Sequence, residues 1–190
     1  RYLRTQKQIL RIMLIVSFST FFGLSIATLF PAWAVKVLHG DATTNGLLQA
    51  ARGVGAVLCS LAIASFSKYI SRGKFLIMGL FSLPLFMILF SINTSFIISS
   101  LILIGIGAGI IAVNNLSNGL TQTLVSEEFR GRVMGVYSFS FFGFMPIGAL
   151  WIGMLAEHFG SPTSIFINSI ILLIFSIVIW ILSPNLRIKN

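Results

Sequence analysis

Fifty-two consecutive residues, Phe75 to Ser126, carry no charge. Drawn out as one helix at about 1.5 Å per residue, such a run would extend for about 78 Å, against a hydrocarbon core of about 30 Å in a bilayer. A soluble domain has no place for it. The run therefore belongs in lipid and folds back at least once. The polar cluster Asn93-Thr94-Ser95, between Ile92 and Phe96, is the natural break.

The rest of the chain follows the same pattern. Ile12 to Val35 and Val133 to Ala156 are uncharged stretches of 24 residues each, and Phe159 to Leu186 is one of 28. Between Ala42 and Ser67 the only charge is Arg52. Charged residues make up 9% of the 190, where a soluble domain carries roughly 25%. That excludes a water-soluble globular protein, and the apolar content excludes a disordered tail. Cys59 has no partner, which excludes a disulfide-stapled scaffold. A net charge of +9 does not mark a nucleic-acid binder, because the basic residues sit in short clusters between apolar runs, as in membrane proteins. The first apolar run is too long for a signal peptide. The chain opens on Arg1 rather than Met, so a fragment of a longer protein is expected.

These runs predict an all-α membrane domain over residues 1–190, with six transmembrane helices at approximately 12–35, 45–67, 75–92, 96–122, 133–156 and 163–183. Barrel strands would alternate in segments of about ten residues, and these runs do not. Pro84 predicts a kink in the third helix. Eleven basic residues fall on one side: Arg1, Arg4, Lys7, Arg11, Lys68, Arg72, Lys74, Arg130, Arg132, Arg187 and Lys189. Lys36 stands alone on the other. The asymmetry predicts a multi-pass protein of the inner (plasma) membrane with both termini cytoplasmic.

Within the spans, Arg52 carries the most information. A charge at mid-span costs about 2.5 to 3.5 kcal/mol on insertion scales and persists with a partner or a watery cavity. Asn45, Gln49 and Arg52 share one helical face. A second stripe, Asn114, Asn118, Thr121 and Gln122, closes the fourth helix, with Asn115 and Ser117 beside it. Both stripes read as a polar-substrate pathway or as hydrogen-bonding glue between helices. The four carboxylates, Asp41, Glu127, Glu128 and Glu157, all lie near helix ends. A proton carrier, if transport is proton-coupled, is expected outside this chain. Gly105-Ile106-Gly107-Ala108-Gly109 and Gly53-Val54-Gly55 complete no nucleotide-binding fingerprint and read as close helix packing. The sequence contains no phosphate loop, zinc spacing or nucleophile triad, so neither an enzyme, a metal site nor a cofactor is expected.

Arg72-Gly73-Lys74 and Arg130-Gly131-Arg132 each open a helix on the basic side, which suggests two repeats of three helices. The segment Glu127 to Gly135, EEFRGRVMG, resembles the cytoplasmic loop between the fourth and fifth helices of a major facilitator superfamily half. Phe144 to Leu150 and Gly153 to Ala156 continue the match, and Gln49 to Ala56 is similar to the second helix of a carboxyl-terminal half. The likeness is greatest to the branch of enterobactin-type siderophore exporters and macrolide efflux permeases. One departure is Lys68, which stands where that family often has an Asp.

The resemblance implies a six-helix half of a twelve-helix transporter with 3+3 inverted repeats. Its function would be secondary active export of a small molecule, a drug or a siderophore, by alternating access. The expected partners are a small-molecule substrate, the bilayer, a missing amino-terminal six-helix half and a coupling proton. The expected pathway residues are Gln49, Arg52, Asn114, Asn118 and Gln122. Glu128, Arg130 and Arg132 are expected to form cytoplasmic gating ion pairs. The alternative reading is a membrane scaffold or subunit that transports nothing.

Overall fold

The computed structural model describes residues 6–66 and 71–183. Lys68, Arg1, Arg4, Arg187 and Lys189, all used in the charge count, lie outside the described residues, as does Ser67 at the end of the second expected helix. Among the described residues all regular structure is helical.

Five helical stretches are long and apolar enough to cross a membrane: Lys7–Lys36, Ala42–Phe66, Arg72–Ser91, Phe96–Leu124 and Glu127–Leu182. The expected 12–35, 75–92 and 96–122 widen to Lys7–Lys36, Arg72–Ser91 and Phe96–Leu124. The reason is physical. A run without charges marks the hydrocarbon depth alone, while the helix continues into the headgroup region, where Lys7, Arg11, Arg72 and Lys74 keep their cations wet.

The first stretch is not uniform. It comprises α1 (Lys7–Phe18), a π-helical turn Ser19–Gly23, a 3-10 segment Leu24–Leu29 and α2 (Phe30–Lys36). Pro31 sits in the first turn of α2 and lacks the N–H that an α-helical bond to Ala27 would need. The irregular backbone exposes carbonyls, and side chains answer them: the Ser25 hydroxyl donates to Phe21 O, and Asn168 Nδ2 donates to Phe22 O at 3.2 Å. Non-α backbone at membrane depth is tolerated where protein satisfies it in this way.

The remaining elements are α3 (Ala42–Phe66), α4 (Arg72–Ser91), α5 (Phe96–Leu124), a 3-10 turn Glu127–Phe129, α6 (Arg130–Phe142) and α7 (Phe144–Leu182). Pro84 lies inside the unbroken α4. Its missing N–H frees the carbonyl of Leu80, and the Ser176 hydroxyl donates to that oxygen at 2.9 Å. Within α7, Gly160 leaves helical geometry at φ 79°, ψ 159°. Trp151 Nε1 donates to Asn168 Oδ1 at 3.1 Å although the two are 17 residues apart. In a straight helix they would be separated by about 25 Å, so the two limbs of α7 lie side by side.

The core falls into three clusters. Toward one end Phe30, Trp33, Leu48, Phe90, Leu103 and Ile165 pack together. Toward the other end two clusters share the depth of Met13 to Val16: Ile15, Cys59, Leu76, Leu80, Val113 and Ile179 meet in one, and in the third Ile9, Met13 and Val16 pack on Val125, Val133 and Tyr137. That third cluster brings the Lys7 end of the first stretch beside the Arg130 end of α6.

Two glycine faces set the approach of α5 to its neighbours. Gly105 and Gly109 lie against Phe86 and Leu83 of α4, so close that a Cβ would fall within 3.0 Å of either. Gly107 faces the carbonyl of Arg52, and Gly55 of α3 faces the carbonyl of Ile104. No side chain fits at either position. Gly55, Gly105, Gly107 and Gly109 are packing surfaces, as small residues are in membrane bundles, whereas Gly53 faces open space.

Candidate functional site

Helix α3 brings Asn45, Gln49 and Arg52 to one face because they stand four and seven residues apart. Helix α5, packed against α3, supplies Asn114 and Asn115 beside them. Gln49, Arg52, Asn114 and Asn115 line a cavity of about 390 Å³, together with Leu24 and Phe141 among others. Leu24 begins the 3-10 segment, so the irregular part of the first stretch borders this space.

Arg52 is half-buried, and its guanidinium carbon sits 5.7 Å from the centroid of the buried Phe30 ring. This is a cation–π contact, which offsets part of the cost of desolvating the charge. No carboxylate lines the cavity. The carboxamide oxygens of Asn45, Gln49 and Asn114 are buried and without a hydrogen-bond partner.

A second cavity of about 250 Å³ adjoins the first, sharing Asn114, Asn115 and Phe141 and adding Asn118, Tyr137 and Ser138. The Tyr137 hydroxyl donates to the backbone carbonyl of Asn114 at 2.8 Å, tying α6 to α5. Gln122 lines neither cavity. It is exposed, and its Nε2 donates to Asn118 Oδ1. Along α5 the sequence Asn114, Asn118, Gln122 thus descends about 12 Å from the first cavity toward the Arg130 end of the bundle.

The structure therefore draws Gln49, Arg52 and Asn114 around one space, sets Asn118 at the next, and leaves Gln122 outside both. Glu128, Arg130 and Arg132 are all exposed, and no ion pair joins them among the described residues. Sequence reasoning missed Phe30 beneath Arg52 and Phe141 on the cavity wall. Their signal was slight: an aromatic in an apolar run looks the same whether it meets lipid or a cavity. Among the described residues no group of three or more His, Cys, Asp or Glu is placed to hold a metal ion.

The model of the transmembrane secretion effector family matches residues 1–188 of the chain. The chain belongs to this family. A search of the curated proteins finds no match. A transmembrane secretion effector is a multi-pass membrane protein of the major facilitator type, which places the chain in a family of transporters. In this transmembrane secretion effector the two polar cavities lie between helices, where sites for small molecules are commonly built.

Proposed function

We propose that the protein is a secondary active transporter that exports a small molecule, of the drug or siderophore kind, by alternating access. The observation that carries this reading is the 390 Å³ cavity with Arg52, Gln49 and Asn114 on its wall. Its size falls in the range of about 300–1,000 Å³ typical of ligand pockets. The neighbouring cavity at Asn118 extends the polar track toward the basic end of the bundle. Gln122 marks the mouth of that track.

In this reading the chain crosses the inner membrane six times, the hairpin at Gly160 separating the fifth crossing from the sixth. It forms the carboxyl-terminal half of a twelve-helix transporter with nested 3+3 repeats. The shared end of Lys7, Arg11, Arg72, Lys74, Arg130 and Arg132 faces the cytoplasm, together with both termini, by the positive-inside rule. A second six-helix half walls the cavity from the other side, which agrees with α3, buried over only 17% of its most apolar window against 56% for the first stretch. That half, rather than this one, carries any coupling proton, since no carboxylate lines the cavities here. Glu128, Arg130 and Arg132 form ion pairs in one state of the cycle and release them in the other. Exposed pairs of this kind are worth about 0.2 to 1 kcal/mol each, enough to bias a gate without locking it.

The test is export of a panel of drugs and siderophores by cells making the complete protein, normalised to its level in the membrane. Arg52→Ala is expected to lower export at least tenfold while membrane level stays within twofold. Parallel loss of both makes Arg52 a structural residue. Absence of export of every compound returns the chain to the scaffold reading.

A further inference from the structure

The cavity chemistry is one-sided. Arg52 brings a guanidinium, which only donates hydrogen bonds. The Gln49 and Asn114 carboxamides turn their oxygens into the protein, where these are buried and unpartnered. Each carboxamide also carries two N–H donors that can serve a ligand. Among the described residues no Asp or Glu contributes to the wall; Asn115 adds a further carboxamide, and the rest of the surface is apolar, with Leu24, Ile110, Ile111 and Phe141. A fixed positive charge with no carboxylate beside it favours an anion over a cation.

We propose that this cavity takes anionic amphipathic molecules: one carboxylate, phosphate or similar oxyanion held by Arg52 with the amide groups of Gln49 and Asn114, and an apolar body against Leu24, Ile110, Ile111 and Phe141. The inference rests on the transporter reading for its biological meaning but is a statement about binding. Arg is suited to the task because its planar fork pairs two oxygens of an oxyanion at once. Phe30 lies under the same guanidinium at 5.7 Å and holds it without consuming its charge, as a carboxylate partner would. The same chemistry serves a free organic anion from the cytoplasm and the headgroup of an anionic phospholipid from the bilayer.

The experiment is equilibrium binding to the complete protein in phosphatidylcholine nanodiscs, using one apolar body in three charge states: naphthalene-2-acetate, its methyl ester and 2-(naphthalen-2-yl)ethylammonium. The acetate is expected to bind at least tenfold more tightly than either other probe. Arg52→Gln is expected to abolish that preference, and Arg52→Lys to retain part of it, both in protein that elutes as a single folded species. Replacing part of the phosphatidylcholine by phosphatidylglycerol separates the two sources: competition with the acetate identifies a lipid headgroup, and no competition identifies the free anion. Equal binding of the three probes, tighter binding of the ammonium, no acetate binding by the folded protein, or a preference that survives Arg52→Gln overturns the inference. Because binding is read without transport, anion-selective binding in a protein that exports nothing removes the transporter reading alone. Export without anion preference removes only this one.

Discussion

Ser176 answers Pro84 across two helices. Pro84 has no N–H to give the carbonyl of Leu80, and the Ser176 hydroxyl donates to that oxygen at 2.9 Å while also reaching Leu172 O at 2.7 Å. The proline therefore sits within a continuous helix because a neighbour supplies the missing donor. Ser176→Ala is expected to destabilise the protein in detergent, and much less so in a Pro84→Ala background, where the backbone bond is restored. The coupling between the two changes should fall near 0.6–1.7 kcal/mol, the range found for hydrogen bonds between membrane helices. Additive effects in thermal unfolding would show that the Ser176 hydroxyl serves only its own helix.

Gly107 and Gly46 make a controlled comparison. A Cβ at Gly107 meets the backbone of Arg52, whereas a Cβ at Gly46 meets nothing within 4 Å. Gly107→Ala is expected to cost about 1–3 kcal/mol through overpacking and to reduce transport by moving Arg52. Gly46→Ala is expected to be neutral or stabilising by about 0.5–1 kcal/mol, as alanine is in a helix interior. The readouts are thermal unfolding and export at matched membrane level.

Asp41 caps α3. Its carboxylate accepts from the backbone N–H of Thr44 at 2.9 Å and from the Thr44 hydroxyl at 3.1 Å. Those bonds, the backbone one foremost, hold its pKa below the ordinary aspartate value. A lowered carboxyl pKa contributes stability that is complete above about pH 4 and is lost as the pH falls through the folded-state value. An NMR titration of the Thr44 amide should therefore show a midpoint below about 3.9, moving up toward it in Thr44→Ala. A midpoint at or above the ordinary value would remove the cap from the account.

Arg130→Ala combined with Arg132→Ala tests the gate. Both side chains are exposed and line neither cavity. Turnover in proteoliposomes is expected to fall severalfold while the substrate dissociation constant stays within twofold. A shifted dissociation constant would place these arginines in binding instead.

Much of the fold was legible because charge and apolarity are coarse signals that lipid reads directly. The long uncharged runs gave the helices. Asn93-Thr94-Ser95 and Gly160-Ser161-Pro162 coincide with breaks in them, and Gly55, Gly105, Gly107 and Gly109 are packing faces. The convergence of Gln49 and Arg52 on Asn114 follows from helical spacing on two elements. The break at Ser19–Gly23 was not legible, although Pro31 stood nearby as a signal. Nor were the roles of Asn168 and Ser176. A single polar residue in an apolar run gives no hint of the partner it meets, because the carbonyls of Phe22 and Leu80 become acceptors only once distant backbone is freed. Gln122 shows the converse: its spacing put it on the Asn118 face, but the helix end carries it past both cavities.

The contacts of Gly55 with Ile104 and of Gly107 with Arg52 bring α3 and α5 together main chain to main chain. A methyl group at either glycine would prise these two rods apart and draw Arg52 away from Asn114, so the shape of the polar wall depends on two missing side chains.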